Sequence, residues 1–468
     1  MSKLLRANSS SSERNLWKGC CLFLFAWLFI STGLLAQPKD NSPYSRIGLG
    51  ESLKHTLSAT GFGGLTAAYA DPLHINLHNP ASYAWLNATA FEAGMSAEYS
   101  SLSYNNQTAK IWTGNLTHLA LAFPLHNSLN DVLSRKNRKV FWGMNLTLLP
   151  NTMIGYDIET EEASTKAASI TNIFKGTGGT SRLVWGTGLR YKNFSAGVNL
   201  GYLFGQLESE RRAVFSNYFD ENNNGKQDPG ESLVYYQDKF LDNISIRGFL
   251  WNVGAQYRFD FDKKQEEDKF YNGRSLIIGV YGNSTSRFNT TSNVLRIGEN
   301  TNYSPIQSDT MLNLSDVEQK GKLPAEWTIG VMYQKTAKLR IGAEYNFAGW
   351  SKYENEAKPE TLYDSHRIAA GVEYIPNASS YNNYLKRVRY RAGFYHRTDP
   401  RLDDLNQYAL TLGLGLPVIL PRQQTSFVNF AVEIGQFNTT NAIKETFVKM
   451  SLGFTLNEST WFFKRKFG

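Results

Sequence analysis

Between Leu183 and Leu207 the chain alternates with a period of two. Leu183, Trp185, Thr187, Leu189 and Tyr191 face one way, and Val184, Gly186, Gly188 and Arg190 face the other. After Lys192-Asn193, Phe194, Ala196, Val198, Leu200, Tyr202 and Phe204 alternate with Ser195, Gly197, Asn199, Gly201, Leu203 and Gly205. Successive side chains of a strand point to opposite faces, so the pattern predicts a hairpin with one large apolar face and one small or polar face. A soluble sheet buries its apolar face in a core. A membrane barrel turns that face to lipid and keeps the polar face inside.

The same alternation recurs to the end of the chain. It predicts fourteen strands near 89–103, 107–123, 139–157, 180–192, 194–214, 246–260, 274–290, 325–336, 338–352, 363–376, 386–397, 406–416, 426–437 and 445–456. A strand of about 12 residues, rising roughly 3.3 Å each and tilted about 40°, stands about 30 Å tall, enough for an outer-membrane apolar band. If the first strand runs outward, the longest connections (158–179, 215–245 and 291–324) are external, and the shortest, Lys192-Asn193 and Thr336-Ala337, are periplasmic. That long-loop, short-turn asymmetry belongs to transmembrane barrels. Trp112, Trp142, Trp251, Trp327, Trp350 and Trp461 fall near strand ends, where aromatic girdles sit. The expected fold class is all-β, a 14-stranded antiparallel transmembrane β-barrel over residues 88–468.

Composition narrows the picture. With 38 Gly, 25 Tyr and 10 Trp but only 14 Pro in 468 residues, β-structure is favoured over helix bundles. The formal charge of +8 falls to +5 without the leader's Lys3, Arg6, Arg14, Lys18 and Glu13, too mild and dispersed for a nucleic-acid partner. Basic residues up to Lys18, the apolar run Cys20–Ile30 and small residues before Gln37 read as a signal peptide over 1–36, cleaved after Ala36. Both cysteines, Cys20 and Cys21, lie in that leader, so the mature chain has no thiol for a disulfide or a metal. Export without an apolar helix leaves a barrel in the outer membrane, in contact with its lipid. The aromatic end, Trp461 to Gly468, suits recognition by the barrel-insertion machinery.

Residues 37–87 do not alternate and are broken by Gly and Pro, which predicts an irregular segment ahead of the barrel. Ser42-Pro43-Tyr44-Ser45-Arg46-Ile47-Gly48-Leu49-Gly50, then Gly61-Phe62-Gly63-Gly64-Leu65 and Asp71 to Asn79-Pro80-Ala81, resemble the N-terminal region of FadL-type outer-membrane proteins. The resemblance implies a fourteen-stranded barrel whose N-terminal hatch plugs the lumen. It also implies uptake of hydrophobic compounds, with some such barrels acting instead as partners in secretion machinery. A barrel of this width cannot be filled by its own side chains, so a plug fits the physics. A Gly-rich plug needs barrel side chains to satisfy its backbone. The inward faces offer Glu92, Glu98, Arg340, Glu344, Arg367, Glu373, Arg389 and Arg391 as a plug-holding network, or among the arginines as a site for a ligand carboxylate. Because these faces read as small, polar and charged, a greasy pocket would have to be lined by hatch residues Ile47, Leu49, Leu53, Phe62 and Leu65 or by a strand kink.

Residues 220–231 fit a twelve-residue calcium loop: Asp220, Asn222, Asn224, Asp228 and Glu231 supply side-chain oxygens, Lys226 a carbonyl, and Gly225 the sharp turn. Gln227 stands where an aliphatic is usual, and strands rather than helices flank the loop. The expected cofactor is Ca²⁺ there and nothing else. No nucleophile elbow or phosphate loop occurs, and the seven His lack metal spacing, so an enzyme is not expected. The leading expectation is passive transport of hydrophobic or amphipathic small molecules, gated by the hatch. The alternative is a structural or adaptor subunit working with another outer-membrane protein.

Overall fold

A closed ring of hydrogen-bonded strands follows from that alternation. The computed structural model describes residues 42–47, 57–104, 107–127, 130–131, 138–162, 170–215, 228–229, 236–262, 273–300, 306–420, 424–440 and 443–461. The leader, Leu49 and Leu53, the aromatic tail 462–468 and all of the calcium-like loop except Asp228 and Pro229 lie outside these residues. The strands are β1 (Thr89–Tyr104), β2 (Gln107–Pro124), β3 (Val140–Glu162), β4 (Ile170–Tyr191), β5 (Phe194–Phe215), β6 (Tyr236–Asp260), β7 (Arg274–Asn283), β8 (Ser286–Asn300) and β9 (Gln307–Leu323). They continue as β10 (Glu326–Lys335), β11 (Leu339–Ala348), β12 (Glu354–Asn355), β13 (Ser365–Tyr374), β14 (Arg389–Thr398), β15 (Asn406–Leu420), β16 (Gln424–Asn438) and β17 (Lys444–Glu458). Neighbours pair antiparallel throughout, and β1 closes the ring on β17 with Gly94 opposite Gly453. Fourteen strands (β1–β7, β10, β11 and β13–β17) form the wall, and β8, β9 and β12 extend it at one rim.

The wall is inside-out relative to a soluble protein. On β15, Leu410 and Leu412 are 63% and 58% exposed, while Thr411 between them is 1% exposed. The large apolar face therefore looks outward and the small or polar face into the lumen, as lipid on the outside requires. Trp112, Trp142, Trp251, Trp327 and Trp461 face outward. Trp350 departs from the girdle reading: it sits in a short 3₁₀ turn and packs against an apolar cluster inside the barrel.

Two of the connections expected as long loops, 158–179 and 291–324, are largely strand, and the third is strand from Tyr236 onward. β3 and β4 run on to Glu162 and from Ile170, β6 starts at Tyr236, and β8–β9 occupy most of 291–324. Alternating hydropathy marks only the stretch of strand that meets lipid, whereas the backbone ladder continues into water. On β3 the outward apolar series ends at Leu148, and Asp157, Glu159 and Glu161 follow on the exposed side. The ends joined by the short turns 192–193 and 336–338 form the turn rim; the extended ends form the loop rim. Lys192 and Ala337 adopt φ of 54° and 55°, the left-handed conformation of tight hairpin turns.

One seam is incomplete. β2 pairs with β3 only between Leu119–Pro124 and Gly143–Leu148. Toward the loop rim β2 stays with β1 and β3 with β4, past a bulge at Pro150/Thr152. Ser45 of the N-terminal segment covers part of the free β3 edge. Its Oγ accepts from Gly155 N (3.0 Å) and donates to Gly155 O (2.9 Å).

Candidate functional site

The described N-terminal segment threads the lumen and touches strands around the whole ring. It fits because the wall offers glycines where it passes. A Cβ built on Gly453 or Gly94 would collide with Leu57, on Gly393 with Gly63, on Gly279 with Ala67, on Gly254 with Asn79, and on Gly188 or Gly197 with Pro80. Each collision is under 3.0 Å, and at Gly393, Gly279, Gly188 and Gly197 it is with backbone, so a side chain there would push the segment off the wall. The alternating glycines of the polar strand face mark this track in the sequence; the segment they receive is not legible from it.

Polar wall residues then satisfy the irregular backbone. Glu344 Oε2 accepts from Thr66 N and Ala67 N, both at 2.6 Å. Thr411 accepts from Gly63 N (2.9 Å), and Gln256 donates to Ala67 O (2.9 Å). Glu92 accepts from Ile75 N (3.0 Å), Asn252 donates to His78 O (2.8 Å), and Tyr83 donates to Asn199 (3.0 Å). Gly63 and Gly64 turn the chain at φ 69° and 70°. Asn79 caps the 3₁₀ turn that starts at Pro80: its Oδ1 accepts from Ala81 N (3.1 Å) and its Nδ2 donates to Ala67 O (2.7 Å).

Other residues singled out in the sequence gather at three places. Ser42 donates to Glu445 (2.7 Å), Pro43 begins a 3₁₀ turn, and Tyr44 packs on Phe437 and Arg401 near the loop rim. Arg46 belongs to that turn, its side chain outside the described atoms. Asp71 lies fully buried between Arg389 and Arg340, each 2.7 Å from Oδ2. Arg340 and Arg391 also clasp Glu373, each at 2.7 Å, and Arg367 pairs with Glu344 at 3.3 Å while donating to Gly63 O. Burial would raise the Asp71 carboxyl, but Arg389, Arg340 and the His74 hydrogen bond hold it well below the usual carboxylate range. Burial lowers the neighbouring His74 imidazole, against the pull of Asp71. All four of these arginines contact carboxylates.

Cavities lined by described residues lie on both sides of the segment. On its loop-rim side a space of about 120 Å³ is lined by Leu77, Leu149, Val184, Leu250, Trp251 and Trp350, with Arg182 and Asn199 among them. It adjoins an inward apolar cluster of Ile154, Leu203, Leu207, Ile244, Ile246 and Phe288. The inward faces are thus not uniformly polar. Leu203, on the otherwise small face of β5, was the sequence sign of this cluster. Phe62 and Leu65, candidates for a greasy pocket, are instead packed with Tyr69, Ile277 and Met332. On the turn-rim side lies a larger cavity of about 920 Å³, bordered by Ala70–Leu73, Trp85 and strand ends. Among the described residues no cluster of His, Cys, Asp or Glu could hold a metal.

The BamG family model matches residues 20–468. In fold the chain is similar to the Ralstonia pickettii toluene transporter TbuX: TM-score 0.51, 12% identity, covering 88% of this chain and 100% of that one. It is likewise similar to a Pseudomonas aeruginosa FadL homologue, with TM-score 0.51 and 12% identity over 87% and 99% of the two chains. At this identity the likeness establishes the fold, a FadL-type transmembrane barrel. No curated protein matches the chain in sequence.

Proposed function

We propose that this chain, which belongs to the BamG family, lets hydrophobic or amphipathic small molecules cross the outer membrane passively, with the N-terminal segment as gate. The observation that carries this reading is the pocket on the loop-rim side. Apolar Leu77, Leu149, Val184, Leu250 and Trp350 line it together with Arg182, whose Nε has no hydrogen-bond partner. A few polar groups in an apolar concavity are what an amphiphile with an acidic head would use. The nearby seam between β2 and β3 gives the pocket an edge bare of ladder pairing. The hatch divides this pocket from the turn-rim cavity, with Leu77-His78 on one side and Ala70–Leu73 on the other. Passage therefore requires the stretch 70–78 to yield. One fold neighbour, TbuX, is a toluene transporter, which fits the same substrate class.

Binding of an anionic naphthalene dye to the protein in lipid nanodiscs tests this. Leu250→Asn and Arg182→Gln should each weaken binding roughly tenfold. Equal binding by wild type and both variants sinks the reading.

A structural or adaptor role beside another outer-membrane protein is the second reading. It is favoured by the close glycine contacts that join hatch and wall, and by the polar strand extensions of β3–β6 and β8–β9. Co-purification from native membranes separates the two: a stoichiometric protein partner favours the adaptor, bound lipophile in a lone barrel favours transport. In either role the chain meets outer-membrane lipid and the barrel-insertion machinery, and Ca²⁺ orders loop 220–231.

A further inference from the structure

The cavity at the turn rim has a different chemistry from the pocket. Its border carries Arg190, Arg258, Lys335, Lys338, Arg340, Arg387 and Arg389 against two carboxylates, Asp71 and Glu373. Asp71 and Glu373 are already engaged by Arg340, Arg389 and Arg391, and Arg258 pairs with Asp260 at 2.7 Å. Arg190, Lys335, Lys338 and Arg387 form no ion pair with a carboxylate of the described residues. The Nε atoms of Arg190 and Arg387 are buried with no hydrogen-bond partner. The Arg190 guanidinium is also held in place, sandwiched between the rings of Trp85 (4.1 Å) and Phe141 (4.0 Å). Several cations set into one concave site, short of anions, make a receptor for negative charge.

We infer that the turn-rim vestibule binds an extended acidic peptide segment of another protein. The spacing of the unpaired cations selects an extended ligand. Arg190 is next to last in β4 and Arg387 precedes β14, seven strand steps apart along the wall (β4, β5, β6, β7, β10, β11, β13, β14). At about 4.8 Å per step that is roughly 34 Å of arc, with Lys335 and Lys338 between. A single phosphate or carboxylate reaches one such cation. A peptide of about ten residues spans roughly 34 Å when extended and brings a carboxylate to each in turn. Trp85, Phe141 and Phe427 supply apolar surface for its stems. This site lies across the hatch from the amphiphile pocket and does not rest on the transport reading.

The test uses the full-length mature protein in detergent and a fluorescent decapeptide alternating Asp and Ser, followed by anisotropy. The Asp peptide should bind, the Asn-for-Asp peptide should not, and raising salt should weaken binding. Arg190→Gln, Lys338→Gln and Arg387→Gln should each weaken binding roughly tenfold, while Arg247→Gln on the loop-rim half of β6 should leave it unchanged. Heat-modifiable migration on gels confirms that each variant is folded. Equal binding of the Asn peptide, full binding by the triple variant, or displacement of the peptide by equimolar pyrophosphate overturns the proposal. The last outcome would mark a small-oxyanion site instead.

Discussion

The carboxylate of Asp71, in the irregular N-terminal segment, accepts a 2.7 Å hydrogen bond from Arg389, 318 positions later on β14. Arg340 reaches the same oxygen from β11. Both arginines converge on a carboxylate without exposed surface, so removing it leaves two buried cations with reduced compensation. Asp71→Asn should cost about 3–5 kcal/mol of hatch docking. Limited proteolysis of the detergent-solubilised barrel checks this: the variant should be cut within 57–86 under conditions that spare the wild type.

The same cluster gives a pH dependence. The folded-state pKa of Asp71 and that of His74 both lie below their ordinary values, 3.8 and 6.5. A depressed pKa means that the released hatch binds protons more readily than the docked one. The stabilisation is therefore present above the ordinary value and lost as pH falls. Docking should begin to weaken below about 6.5 through His74 and collapse below about 3.8 through Asp71. Hydrogen exchange of backbone amides 66–79, measured as a function of pH, should follow this order; protection that rises on acidification would contradict it.

The glycine track makes a steric prediction. Gly279→Val and Gly197→Val each place a side chain where Ala67 or Pro80 now lies, with an overpacking cost of about 1–3 kcal/mol. Gly298→Ala has only an Asp238 oxygen at 3.9 Å and should be neutral. Thermal unfolding monitored by gel migration ranks the three.

Much of the wall was legible because lipid imposes a strict alternation. Leu410 and Leu412 point outward for the same reason that made them stand out in the sequence. The continuation of β3 to Glu162 was not legible, since in water the outward positions no longer need to be apolar. Nor was the pairing of Asp71 with Arg389, because proximity across a ring depends on closure, which no local pattern encodes. The glycines opposite Pro80 and Ala67 were visible as a small-residue face. Their meaning appeared only once the segment lying against them was known. No local pattern marks Arg190 and Arg387 as sharing one cavity, because the strands that carry them meet it only through ring closure.

The calcium-like loop offers an independent check. Calorimetry of the purified barrel should show Ca²⁺ binding through Asp220, Asn222, Asn224, Lys226, Asp228 and Glu231, lost in Glu231→Gln. An absence of heat in the wild type removes Ca²⁺ from the account.

Gating can be tested by tying the hatch to the wall. A Cβ on Gly330 lies 3.1 Å from that of Ala67, a few tenths of an ångström inside the roughly 3.5–4.5 Å of a disulfide, so a small outward shift admits the bond, and both cysteines of the sequence lie in the predicted leader. The decisive measurement is entry of a lipophilic dye into proteoliposomes carrying Ala67→Cys/Gly330→Cys, before and after reduction. Oxidation should stop entry and reduction should restore the wild-type rate. Equal entry in both states would contradict gating by the hatch.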